Sequence, residues 1–305
     1  MAVSAAMVRE LRDRTGAGMM DCKNALTSTD GDMERAIEFL REKGLAAAAK
    51  KAGRIASEGL VMSLLSDDNS VGAIVEVNSE TDFVAKNEEF RAFVEGVAKL
   101  AMAHEEDTIE AFLNRPWHEG GTVNEALVGK IAVIGENLSI RRKNVFNKQS
   151  KGLLVSYVHG GGRVAVLMEL ACDKDGDALL EAGKNLTMQV AAMNPRFVAR
   201  NEMQQDFIDK EREILKQQAL AEGKPEAIVE KMVEGRLNKT LKDYCLLEQE
   251  YVKDGDLSVA AYLEEVGKQT GATITVTRFV RYETGEGIEK KEENFAEEVS
   301  KVIQS

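Results

Sequence analysis

The sequence predicts an α+β protein, and three observations carry that reading. A strand-like alternation occurs twice, the chain opens with a helical module, and one helix-rich stretch interrupts only the second copy.

Residues 1–54 read as three short helices. Val3, Met7 and Leu11 recur on one helical face, Gly16-Ala17-Gly18 interrupts the chain, and Met19 to Leu26 make a brief second helix. Asp30-Gly31-Asp32 supplies a turn and a capping carboxylate for the third. That helix turns Met33, Ile37 and Leu40 inward and is expected to stop at Gly44, a residue suited to a left-handed helix end. Met19 and Met20 cannot both face inward from one short helix, so at least one is exposed. The module holds ten Lys+Arg against eight Asp+Glu, slightly basic in a chain of net charge −12. This shift, with Gly53 and Gly59, sets a boundary near residue 55.

The repeat follows. Gly59-Leu60-Val61-Met62-Ser63 shifted by 93 residues lands on Gly152-Leu153-Leu154-Val155-Ser156. The same shift takes Val71-Gly72-Ala73-Ile74-Val75-Glu76-Val77 onto Val164-Ala165-Val166-Leu167-Met168-Glu169-Leu170. Both blocks alternate as half-buried strands do. Asp67-Asp68-Asn69 and Gly160-Gly161-Gly162 occupy the hairpin turns. Phe93 and Val97 then correspond to Leu186 and Val190 on a following helix. Later elements repeat at a shift of 136: Thr122-Val123, Leu127, Gly135 and Leu138-Ser139-Ile140 match Ser258-Val259, Leu263, Gly271 and Ile274-Thr275-Val276. Each reads as a capped helix, a Gly and a strand. The two shifts differ by 43 residues, the length of an insertion in the second copy.

Residues 195–246 hold that insertion. Their composition is helical, with Ala221-Glu222-Gly223-Lys224-Pro225 as the break, and Pro225 suits a helix start. Met203, Phe207 and Ile214 are expected to line one arm, with Ile228, Met232 and Leu237 on the other. The segment reads as an antiparallel helical hairpin resembling a short coiled coil. The expected divisions are therefore 1–54, a first repeat 55–146, a second repeat 147–194 with 247–284, the hairpin 195–246, and a C-terminal module 285–305.

Charge and motif argue against several functions. An excess of 52 Asp+Glu over 40 Lys+Arg disfavours direct nucleic-acid binding, which needs clustered cations. Cys22, Cys172 and Cys245 form no C-x-x-C, and the three His are dispersed, so neither a metal site nor a cofactor is expected. Phosphate-loop, nucleophile-elbow and zincin motifs are absent, so an enzyme is not expected. No apolar run is long enough to span a membrane, and the first fifteen residues carry Glu10 and Asp13 without a basic lead-in. The expected location is the cytoplasm.

Two ungapped stretches carry a resemblance. Leu11-Arg12-Asp13-Arg14-Thr15-Gly16-Ala17-Gly18-Met19-Met20-Asp21-Cys22-Lys23 resembles the N-terminal signature of the bacterial elongation factor Ts family. Glu76-Val77-Asn78-Ser79-Glu80-Thr81-Asp82-Phe83-Val84-Ala85-Lys86-Asn87 resembles its second signature. The likeness extends through Ile134-Gly135-Glu136-Asn137, His159, Glu230 to Lys239 and Gly285 to Lys290, essentially the whole chain. It implies a ubiquitin-associated-like three-helix N-terminal domain, a duplicated core, a dimerisation-type hairpin over 195–246 and a C-terminal helix. It also implies guanine-nucleotide exchange on elongation factor Tu.

The resemblance implies roles for particular residues as well. Thr81, Asp82, Phe83 and Val84 form a wedge that disturbs the magnesium site of Tu, while Arg12, Met19, Met20 and His159 contact that partner. Each has a plainer reading in the sequence. Asp82 caps a turn and Phe83 staples a helix entry, the methionines fill a core, and His159 is a surface turn residue. The acidic run from Glu292 to Glu298 is by default a solvated helix face. A helical adaptor with no effect on nucleotide is the competing class of function.

Overall fold

The computed structural model of the chain describes residues 3–174, 176–223 and 225–289. They form a mixed helix and sheet protein that divides into two compact units. The described residues of the first lie within Met1–Met62, Val75–Lys143 and Glu283–Ser305, and those of the second within Ser63–Ile74 and Asn144–Tyr282.

The chain opens with α1 (Ala5–Thr15), α2 (Met19–Ser28) and α3 (Met33–Lys51). Ser4 caps α1 by accepting from Met7 N, and Asp32 caps α3 by accepting from Arg35 N at 3.1 Å. Their shared core is Val8, Leu11, Cys22, Ala25, Leu26 and Ala36, with Met7, Met33, Ile37 and Leu40 packed around it. Contrary to the sequence expectation, α3 does not stop at Gly44. The run Ala46 to Ala49 favours helix strongly enough to carry it to Lys51. Gly44 is instead buried where α3 meets a later helix, α7 (Val123–Ile134), and a Cβ there would sit 3.5 Å from Ala132 Cβ.

The first repeat runs through β1 (Glu58–Leu65), β2 (Val71–Ser79), α4 (Asp82–Ala85), α5 (Glu88–Ala101), α6 (Ile109–Leu113), α7 and β3 (Ser139–Asn147). The sheet has the order β1-β2-β3. A reciprocal box between Thr122 and Glu125 caps α7, and Gly135, at φ 84°, ends it. Phe90, Phe93, Val94 and Val97 are the buried face of α5.

The second repeat contains β4 (Gly152–His159), β5 (Val164–Cys172) and α8 (Asp177–Met193), then α9 (Gln205–Ala221) and α10 (Glu226–Tyr244). It closes with β6 (Glu250–Tyr251), β7 (Asp254–Ser258), α11 (Val259–Thr270) and β8 (Ile274–Glu283). Here the sheet order is β4-β5-β8, with β4 and β5 antiparallel and Ser156 opposite Leu167. Val166, Met168, Leu170, Leu186, Val190, Val259, Leu263 and Val276 are the core, completed by Val198 and Leu246 from the two ends of the inserted stretch.

The hairpin arms are α9 and α10; Met203, Phe207 and Leu237 pack inward as expected and Met232 packs beside them, but two of the expected residues do not. Ile214 and Ile228 are exposed, whereas Val229, Val233, Leu237 and Leu241 face inward against Leu215, Phe207 and Ala219. One residue of phase turns a helix by about 100°, so the correct i, i+4 series starts at Val229 rather than at Ile228. The C-terminal helix expected within 285–305, with its acidic run, lies from residue 290 onward outside the described residues.

Two buried carboxylates mark the duplication. Glu76 accepts from Arg141 Nη1 (3.1 Å), Arg142 Nε (2.5 Å), Asn78 Nδ2 (3.0 Å) and Gly285 N (2.8 Å). In the second unit Glu169 accepts from Arg278 Nε (2.8 Å) and Gln149 N (2.7 Å). Both glutamates are fully buried, and a buried anion persists only when paired and hydrogen-bonded in this way.

Candidate functional site

The second signature stretch begins inside the core and ends in solvent. Strand β2 is buried through Ser79, whose hydroxyl donates to Thr81 O at 2.9 Å and folds the chain over at the strand end. Thr81 then occupies the N-cap position of α4 without a side-chain cap bond, and in this single turn Val84 is buried and Asp82 is exposed. Phe83 sits at the tip with 77% of its surface exposed. It is therefore no staple. The entry to α5 is capped by Asn87, which accepts from Phe90 N, and the aromatic buried there is Phe90. Lys86 Nζ lies 2.7 Å from Asp82 Oδ2 and 5.6 Å from the Phe83 ring centroid, so the turn carries a cation beside its aromatic.

The turn is tied to the far end of α7. Gly135 reverses the chain there, and the next residue, Glu136, turns its carboxylate to the loop. Glu136 Oε2 accepts from Glu80 N and Thr81 N, both at 3.0 Å, and Oε1 accepts from Thr81 Oγ1 at 2.6 Å. Glu80 returns the connection by accepting from Asn137 N at 2.6 Å, and Asn137 Nδ2 donates to Arg54 O at 2.7 Å. The sequence places Glu80, Glu136 and Asn137 within the stretches that carry the resemblance but assigns them no role. Their signal was a helix-ending Gly followed at once by two polar residues, between an apolar helix and an apolar strand.

The N-terminal module presents the first signature stretch. Gly16 ends α1 at φ 66°, and α2 restarts at Met19. Cys22, Ala25 and Leu26 take the inner face, leaving Met19 51% and Met20 62% exposed, so both methionines are outside. Arg12 is exposed one helical turn before Gly16. A Cβ at Gly16 would lie 3.8 Å from Val133 Cγ2, and Val133 is itself exposed on the last turn of α7. The end of α7 thus adjoins both the α1–α2 turn and the Thr81–Val84 turn. His159 belongs to the second unit, exposed at the end of β4, with Nδ1 2.9 Å from the Tyr157 hydroxyl.

A cavity of about 700 Å³ opens between the three-helix module and α7, lined by Ile37, Leu40, Trp117 and Val128. Its charged groups are engaged, Lys43 with Asp21, Arg41 with Glu125, Arg14 with Glu10 and Glu34, and Glu119 with the Trp117 indole, so it offers no convergent set for a ligand. Among the described residues no group of three or more His, Cys, Asp or Glu is placed to hold a metal ion, and no helix is long and apolar enough to cross a membrane. What the geometry displays is an exposed aromatic on a braced turn and an exposed methionine pair on a helix start. Such features suit contact with another macromolecule.

Comparison with known proteins agrees with the sequence. The family model described as Elongation factor TS matches residues 80–286. The Elongation factor Ts of Clostridium botulinum (strain Eklund 17B / Type B) is 56% identical over 301 residues, covering 99% of this chain and 99% of that protein. The protein of the same name from Clostridium perfringens (strain ATCC 13124) is 56% identical over 300 residues, 98% of this chain and 99% of its own. That of Clostridium novyi (strain NT) is 55% identical over 303 residues, 98% of each.

Proposed function

Because this chain belongs to the elongation factor Ts family of translation elongation factors, we propose that it acts as the guanine-nucleotide exchange factor of elongation factor Tu. It binds Tu·GDP, disturbs the magnesium and phosphate site, releases GDP, and departs when GTP enters. No bond in the nucleotide is made or broken. Linkage then fixes the preferred partner: a protein that weakens GDP on Tu is weakened equally by GDP, so the tight complex is the nucleotide-free one.

The observation that carries this reading is Phe83, a large aromatic held about three-quarters exposed on a turn whose neighbours are buried or tethered. An apolar ring so exposed loses burial energy in the free protein and recovers it in a partner's pocket. In this reading Asp82 and Phe83 enter beside the nucleotide site of Tu, with Thr81 and Val84 holding them. The consequence for nucleotide is large because magnesium bridges phosphate oxygens to protein, and displacing it removes much of the affinity. Arg12, Met19 and Met20 grip the G domain of Tu, and His159 makes a separate contact. The exposed hairpin residues Ile214 and Ile228 offer a surface for self-association.

The test is release of fluorescently labelled GDP from Tu, followed in stopped flow with and without the chain. Acceleration by catalytic amounts supports exchange. Binding to Tu with no acceleration would leave the adaptor reading in its place.

A further inference from the structure

The turn that presents Phe83 cannot order itself. Helix α4 has four residues and no side-chain cap bond, far below the length at which a helix holds alone. Its geometry must come from tethers: the burial of Val84, the Ser79–Thr81 bond and the three hydrogen bonds to Glu136. We propose that Glu136 is a positioning residue for exchange: its carboxylate fixes the Thr81–Val84 turn so that Phe83 reaches the partner already aimed. The proposal rests on the reading that Phe83 enters Tu.

The duplicated architecture supplies an internal control. Residues 80 and 137 correspond in the second copy to 173 and 273, and the tether between them is kept: Thr273 N donates to Asp173 Oδ1 at 2.8 Å, as Asn137 N donates to Glu80. That bond belongs to the shared scaffold. The clasp does not. Glu136 corresponds to Ala272, and the position of Phe83 corresponds to Gly176, the residue from which α8 starts directly. A carboxylate at the end of the helix thus occurs in the copy whose loop displays an aromatic, and is missing from the copy whose loop displays none. Were Glu136 needed merely to close the helix–strand junction, the second copy would need its equivalent.

Prepaid ordering of this kind acts on the rate of the step the side chain performs, and much less on encounter through other contacts. Glu136→Ala leaves the Glu80 and Thr81 N–H groups to water and frees the turn. Glu136→Gln keeps an acceptor for both N–H groups, and its amide donates to Thr81 Oγ1. Thr81→Val removes only the hydroxyl tether.

The experiment uses the full chain and Tu loaded with fluorescent GDP, measuring release against chain concentration alongside the melting temperature of each variant. Glu136→Ala is expected to lower the saturating release rate about tenfold, the worth of one charge-assisted hydrogen bond, with little change in the half-saturating concentration. Glu136→Gln should recover most of that loss, and Thr81→Val should show a smaller loss even if Glu136→Ala folds poorly. In a Phe83→Ala background, Glu136→Ala should cost little more, because a positioner has nothing left to position. Full additivity of the two substitutions, or an undiminished rate in Glu136→Ala, would overturn the proposal while leaving exchange intact. A wild-type chain that fails to accelerate release would instead remove the functional reading beneath it.

Discussion

The two loops that follow β2 and β5 start from the same scaffold and end differently. Each leaves a buried central strand carrying a fully buried glutamate, Glu76 or Glu169, paired to arginine on a strand after the capped helix. Arg142 and Arg278 are themselves related by the shift of 136. Gly59 and Gly152 stand at the starts of β1 and β4 with positive φ, and a Cβ on either would collide with the carbonyl of Val77 or Leu170. Beyond the strand the copies part. One forms a braced turn with Phe83 outward, while the other passes through Gly176 into α8. The two copies share what holds the sheet together, and they differ in the loops beyond it.

The largest effect expected from testing this comparison concerns the inserted hairpin. Replacing the arms Gln205–Tyr244 by a short linker should leave cooperative melting, since the first copy does without them. Replacing all of 195–246 also deletes Val198 and Leu246 from the second core, and buried aliphatic deletions cost ~2–5 kcal/mol each. Thermal melts that do not separate the two deletions would sink this assignment of the core boundary.

Next come the paired glutamates. Glu76→Ala and Glu169→Ala each leave arginine without its buried partner, a loss of about 3–5 kcal/mol in stability. Glu76 holds two arginines, the Asn78 amide and the Gly285 N–H, whereas Glu169 holds one arginine and the Gln149 and Ser150 N–H groups, so with a second arginine left unpaired Glu76→Ala should melt lower. Equal melting temperatures would show that the additional partners contribute nothing.

Phe83→Ala should lower catalysed GDP release roughly 30-fold, the equivalent of ~2 kcal/mol of buried ring surface. Its melting temperature should stay near that of the parent, because a side chain so exposed contributes little to the fold. A lowered melting point with an unchanged exchange rate would reverse the assignment.

The smallest effect lies in the hairpin turns. Asp68 accepts from the Ser66 and Ser70 hydroxyls and from Ser70 N, which lowers its pKa to about 2. A depressed carboxylate stabilises the fold above its unfolded pKa, and that contribution fades as pH falls toward about 2. The Gly160-Gly161-Gly162 turn has no such group. Amide exchange of Ser70 and Val71 should therefore quicken from pH 4 to pH 2 relative to Gly162 and Arg163. Parallel behaviour of the two turns would contradict it.

Much of the architecture was legible because duplication lets one half of a sequence annotate the other. The shifts of 93 and 136 pointed, without any other information, to strands and capped helices that the fold contains. Errors arose where a local rule met a tertiary contact: Gly44 marks a crossing with α7 and ends no helix, and the first half of the α10 stripe is offset by one residue before Leu237 falls where expected. The short β6–β7 ribbon gave no periodic signal at all, being two and five residues long.

For the candidate site, the sequence by itself determined that a turn follows the buried strand and that two adjacent methionines could not both be hidden. Both follow from side-chain periodicity, which is local. It could not decide between Phe83 as staple and Phe83 as exposed tip, since Asp-Phe at a helix entry satisfies either. Tertiary structure decided it by bringing Glu136 to Thr81, residues 55 apart in the chain, and by burying Phe90 rather than Phe83 at the entry to α5. A side chain's exposure depends on which distant groups claim the space and the backbone donors around it, and no local pattern encodes that claim.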